Sequence, residues 1–170
     1  MKNAGASGMI VLITVLLLLG CITAPSASPG IWVAGISETL TRYYIPATKW
    51  QEEADRLIMC RPDMTYINEP GRAVVCNISF LMNDAVPTEI TSLSFSADSG
   101  IYPLNDVSLM FVRTEYKEQR ITSTIEISEL LHLFQSEKIM LNAVIDSVEY
   151  TFRPDKEFML YRSQFLEQIH

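Results

Sequence analysis

The segment 138–152 leaves this chain the least freedom. If Asp146-Ser147 forms a two-residue turn, Ile145 opposes Val148, Ala143 opposes Tyr150 and Leu141 opposes Phe152. All six then share one face of an antiparallel pair, and all are apolar. A slip of one residue would carry Asn142 and Asp146 into the core, because side chains alternate with period two. The segment therefore commits the chain to an antiparallel sheet with one buried face. Neither turn residue is glycine, which leaves a longer turn open.

The same period recurs upstream. Val74, Cys76, Ile78, Phe80 and Met82 share one face, and Val75, Asn77, Ser79 and Leu81 share the other. This is a strand with Cys76 pointing inward. Leu93 and Phe95 alternate with serines in a second strand, and Asp98-Ser99-Gly100 turns the chain. Residues 107–112 and 119–127 make two more strands, and the short polar connection 115–118 pairs them as a hairpin.

Helical periods are confined to three places. Thr48-Lys49-Trp50-Gln51 matches a capping box, and Trp50, Ala54 and Leu57 follow at helical spacing. A short helix is expected there, with an extended segment into Leu57-Ile58-Met59-Cys60 as the rival. Ser128 caps a second helix, whose stripe is Ile127, Leu130, Leu131 and Phe134. Pro154 ends the hairpin, and Asp155 caps a third helix. That helix lines Phe158, Tyr161, Phe165 and Ile169 on one face with Leu166 beside them, and turns Arg162, Gln164 and Glu167 away. The expected fold class is α+β: a single domain, an antiparallel β-sheet packed with two or three short helices. This element order is faintly similar to that of small periplasmic domains of the invasion-associated locus B type, a likeness of order and not of motif.

The first 30 residues have a different character. Lys2 is the only charge before an apolar run, Met9 to Leu19, broken only by Thr14 and followed by Gly20 and Cys21. The run is short for a membrane span, which needs roughly 20 apolar residues, and has the parts of an export signal. Leu18-Leu19-Gly20-Cys21 resembles the lipobox of bacterial lipoproteins. That resemblance implies a signal peptide over 1–20, acylation of Cys21, and a lipid anchor of several chains, as stable attachment requires. Ile22 in place of an aspartate after the cysteine implies the outer membrane, facing the periplasm, over the inner one. An ordinary cleaved signal peptide, cut near Ala24 to Ser28, is the rival reading. Small residues and Pro25 and Pro29 make 21–30 the acylated cysteine and a flexible linker, leaving 31–170 as one extracytoplasmic domain.

The formal net charge is −7, and the basic residues are scattered singly. Phosphate backbones need a basic patch, so nucleic acid is not an expected partner. Cys60 and Cys76 are the remaining cysteines. In an exported domain the pair is expected to form a disulfide, closing a loop of about 15 residues worth roughly 3 kcal/mol. Two thiols in metal or redox chemistry are the alternative, but their spacing is not C-x-x-C and no histidine lies near them.

Catalytic signatures are absent from the sequence. The histidines are His132, beside the apolar stripe of its helix, and the terminal His170. The common hydrolase and metalloprotease motifs do not occur, and with 7 glycines there is no phosphate loop. No metal site and no cofactor are expected. Glu52, Glu53 and Asp55 form the densest acid cluster and read as a solvated helix start rather than a glycosidase pair. Asn77-Ile78-Ser79 matches a glycosylation acceptor, of consequence only in a eukaryotic source. Tyr43, Tyr44 and Trp50 are either core or an exposed aromatic patch, and their burial energy favours core. The expected role is non-catalytic: an envelope lipoprotein, attached to the membrane through lipid on Cys21, that binds an envelope protein as a subunit or adaptor. The alternative is a module that binds a glycan or small amphiphile.

Overall fold

The hairpin that most constrains the sequence forms with the predicted register. In the computed structural model, which describes residues 30–54, 58–83 and 85–169, Leu141 faces Phe152, Ala143 faces Tyr150 and Ile145 faces Val148. Asp146 and Ser147 make a two-residue turn, both with positive φ, 49° and 66°. That is the turn whose twist matches paired strands. It forms without glycine because the Asp146 carboxylate is tied to the neighbouring loop. The carboxylate accepts from the Thr88 hydroxyl at 2.5 Å, the Thr88 N–H at 3.0 Å and the Glu89 N–H at 2.8 Å. These bonds, the Thr88 hydroxyl first, hold its pKa below the ordinary aspartate value.

Among the described residues there are eleven strands and two α-helices. The strands are β1 (Trp32–Gly35), β2 (Thr41–Ile45), β3 (Trp50–Glu52), β4 (Met59–Ile67), β5 (Val74–Leu81), β6 (Ile90–Ala97), β7 (Gly100–Pro103), β8 (Asn105–Arg113), β9 (Glu118–Ile125), β10 (Ile139–Ile145) and β11 (Val148–Arg153). Helix α1 (Ile127–Gln135) precedes β10, and α2 (Lys156–Ile169) follows β11. All strand pairings are antiparallel, in the order β7-β6-β10-β11-β3-β4-β5-β9-β8. The two ends of that path, β7 and β8, are consecutive in the chain and joined by Leu104 alone. The sheet must therefore curl back on itself. The class is sheet-dominated, a single curved sheet with two helices.

The sheet has a side branch at β4. Met59 and Cys60 pair with β3, while Met64 to Ile67 pair with β2, which in turn carries β1. Pro62 sits in the gap between these two partners, and its carbonyl accepts from the Thr48 N–H at 3.4 Å. In a strand the N–H of a residue points the same way as its carbonyl. The missing N–H of Pro62 thus faces a gap and costs no ladder bond.

The core lies between the concave face of the sheet and the helices. Phe158 of α2 meets Trp50 at 4.7 Å and Phe134 of α1 at 5.7 Å between ring centroids. Phe165, two turns on, meets Phe134, Tyr43 and Tyr66. Edge-on ring packing of this kind adds to the burial energy. Asp155 caps α2 as predicted, its Oδ1 accepting from the Phe158 N–H at 2.8 Å. Arg162 departs from the prediction: it does not turn away, but donates to the Ser136 carbonyl at 2.6 Å and ties α2 to the end of α1.

Two further local expectations fail. There is no helix at 48–54. Trp50 to Glu52 is a strand, and the Thr48 hydroxyl accepts from the Trp50 indole N–H at 3.1 Å instead of capping backbone. Glu52 is buried on that strand and Glu53 pairs with Arg153 at 2.5 Å, so the acid cluster is not a solvated helix start. Asp55 and Leu57 lie outside the described residues. Ser128 is not the cap of α1, which begins at Ile127 with Glu126 before it.

Candidate functional site

The expected disulfide between Cys60 and Cys76 is not present. Both side chains are buried, and both are free thiols. The reason is register. On the β4–β5 ladder Cys60 faces Phe80 and Cys76 faces Met64. Four positions separate them, roughly 13 Å along the strands at about 3.4 Å each, against the 4–7 Å between Cα atoms that a disulfide tolerates. Burial pushes both thiols above the ordinary cysteine pKa, and Asp63 adds to it for Cys76. They are core side chains and poor nucleophiles.

The lipobox residues Leu18 to Cys21, and His170, lie outside the described residues. His132 is exposed on α1. Among the described residues no group of three or more His, Cys, Asp or Glu side chains is placed to hold a metal, and no helix is long and apolar enough to cross a membrane. Asn77 of the glycosylation match lies mid-strand, its amide donating to Asp63 at 3.0 Å. A polar cleft of about 380 Å3 lies where β3 meets the start of α2. Its acids Glu52, Glu53 and Asp155 are balanced by Lys49, Arg153 and Lys156.

Two further surfaces stand out among the described residues. The first is on the convex face, over β1, β2, β4 and β5. The aromatic triad named in the sequence splits here: Tyr43 and Trp50 are core, while Tyr44 points outward. Trp32 stands beside it across the β1–β2 pair, ring centroids 5.5 Å apart, and is 69% exposed. Together with Ile67 and Val75 they line a groove of about 610 Å3, flanked by Thr65, Arg42 and Arg72. Under its end lies a buried polar cluster. Asp63 pairs with Arg120, accepts from Asn77, and Arg120 also donates to the Ser79 hydroxyl at 3.0 Å. Burial first, then Asp63, raise the Tyr44 pKa against the opposing effect of Arg120. Tyr44 is thus a neutral hydroxyl donor at neutral pH. Nothing in the sequence beyond the aromatic run signalled this groove, since Trp32, Arg42 and Arg72 are brought together by strand pairing.

The second surface is β8. It pairs with β9 on one side and forms one end of the sheet path. Val107, Leu109, Met110 and Val112 are exposed by 40%, 58%, 50% and 43%. Leu109 and Val112 oppose Ile121 and Gln119, the inward set of β9, yet no helix covers them. The strand is bare on both faces. Bulges between Asn105 and Ser108 and between Leu109 and Phe111 bend it.

Comparison of the chain with protein-family models, with curated proteins and with solved structures found no match.

Proposed function

We propose that this chain is an envelope lipoprotein, anchored by lipid on Cys21, whose domain binds a protein partner and catalyses no reaction. The observation that carries the binding role is β8. A nine-residue edge strand with four large apolar side chains exposed on both faces is a liability that monomeric proteins usually cover or charge. It is also the geometry that pairs with a strand from another chain while pockets on either side take its side chains. The mutual neutralisation in the 380 Å3 cleft favours a surface role over acid–base chemistry there.

The experiment is cross-linking in cells of the membrane-anchored protein, followed by purification and mass spectrometry. One protein recovered in near-equal amount supports the reading and names the partner. Recovery of the bare chain favours the second reading, a binding module for a glycan or small amphiphile, for which the Trp32–Tyr44 groove supplies the concave aromatic surface. The same spectra weigh the N-terminal peptide, and an unmodified chain starting beyond Cys21 would remove the anchor.

A further inference from the structure

The groove and the tether belong together. Ile31 is pinned to the domain, its N–H donating to the Gln164 side chain at 3.2 Å, and the next residue is Trp32 of the groove. Between Cys21 and Ile31 the chain can extend at most about 35 Å, at 3.3–3.6 Å per residue. A lipid on Cys21 would hold the β1 edge within that distance of the bilayer. The groove has the chemistry of an interface. Trp and Tyr present an apolar ring and a polar tip, the combination that settles at headgroup level. The chain carries a net charge of −7, yet the charges flanking the groove are guanidiniums. Arg42 is exposed and forms no ion pair among the described residues. Arg72 is held by Glu69 at 2.7 Å through one nitrogen, which leaves further donors on its fork. Ile36 adds exposed apolar surface just beyond β1, and the only acid of the β1–β2 ribbon, Glu38, lies in the turn beyond Gly35.

We propose that this groove seats the anionic headgroup of a bilayer phospholipid, Arg42 and Arg72 taking the phosphate and the Trp32–Tyr44 pair lying at the headgroup level. The proposal rests on the reading of Cys21 as a lipid anchor. It orients the domain. β8 lies five strand spacings from β1 along the sheet, so the membrane-facing strand and the partner-binding strand are not neighbours in it.

The test uses the full chain, processed in cells and reconstituted in phosphatidylcholine vesicles with or without phosphatidylglycerol. The two tryptophans make it clean: Trp50 is fully buried and Trp32 is exposed, so contact quenchers report Trp32. In vesicles containing phosphatidylglycerol, Trp32 emission shifts to the blue, brominated lipid quenches it, and aqueous iodide loses access. Arg42→Gln and Arg72→Gln each lower the docked-to-undocked ratio about fivefold, the effect of one cation near an anionic surface. Trp32 equally open to iodide in both vesicle types, with Cys21 shown by mass to be acylated, overturns the groove assignment alone. An unmodified Cys21 overturns the anchor and with it the orientation. Protection by soluble glycerol phosphate, without quenching by brominated lipid, assigns the site to a free phosphate and overturns the membrane role.

Discussion

Single residues decide where this chain departs from its own pattern. Asp146 and Ser147 hold positive φ without the help of glycine, and Asp146 offsets part of that cost with three accepted hydrogen bonds. Ser147→Gly should therefore stabilise the domain by about 0.5–1 kcal/mol, read as a higher midpoint in thermal unfolding. Asp146→Asn should cost about 1 kcal/mol at neutral pH. The sign of its pH dependence follows from the lowered pKa: the carboxylate stabilises above the unfolded value near 4 and loses that effect as pH falls through the folded one. The difference between the two proteins should thus shrink in acid. A difference that grows in acid would contradict the assignment. Asp63 is 4% exposed and Arg120 20%, so Asp63→Ala leaves a half-buried guanidinium without its partner. A loss of about 3 kcal/mol is expected in denaturant unfolding, and an unchanged midpoint would show that the pair is solvated. The free thiols give a third check. Cys60 and Cys76 should be silent to an alkylating reagent in the native protein and react in full in denaturant without reductant. Resistance to alkylation in denaturant would mean that they are paired after all.

At the scale of elements, legibility followed the regularity of the pattern. β5, β6, β9 and the β10–β11 hairpin were readable because apolar residues alternate, and in the hairpin a misregister would bury Asn142 or Asp146; β8 was readable as a short, largely apolar run over 107–112 before a polar connection. α2 was readable from its cap and its spacing of Phe158, Tyr161 and Phe165. β4 was not readable as a central strand, because Arg61-Pro62-Asp63 interrupts the alternation. Its tolerance of Pro62 depends on a gap between β2 and β3 that only the tertiary fold creates. β3 was misread because Thr48-x-x-Gln51 imitates a helix start while the Thr48 hydroxyl serves an indole. The cysteines show the same limit. Parity places both inward, but the pairing register that separates them is a property of two strands together. The two exposed surfaces were the least legible. Trp32, Arg42 and Arg72 meet through β1, β2 and the β4–β5 turn, and the bareness of β8 is a property of the tertiary fold. Leu109→Lys together with Val112→Lys, on an edge already solvated, should leave the unfolding midpoint within about 0.5 kcal/mol of the parent while abolishing partner recovery. A large loss of stability would show that β8 is covered within the domain itself.

At the scale of the molecule, the described residues form a curved sheet, its two ends β7 and β8 joined through Leu104, packed on two helices. Its interior is filled by aromatic and aliphatic side chains, and the two surfaces described above lie on the outside. One edge carries Trp32, Tyr44 and two arginines. The far edge is β8. On the readings proposed above, such a domain would hold a partner at a set distance from a membrane. The most direct test places a photo-activatable cross-linker at Met110 of β8, and separately at Leu160, an exposed residue of α2, in cells carrying the anchored protein. Met110 should give one discrete cross-linked protein and Leu160 none of it. No adduct from Met110, or the same adduct from both positions, would contradict the assignment of β8 as the partner-binding strand.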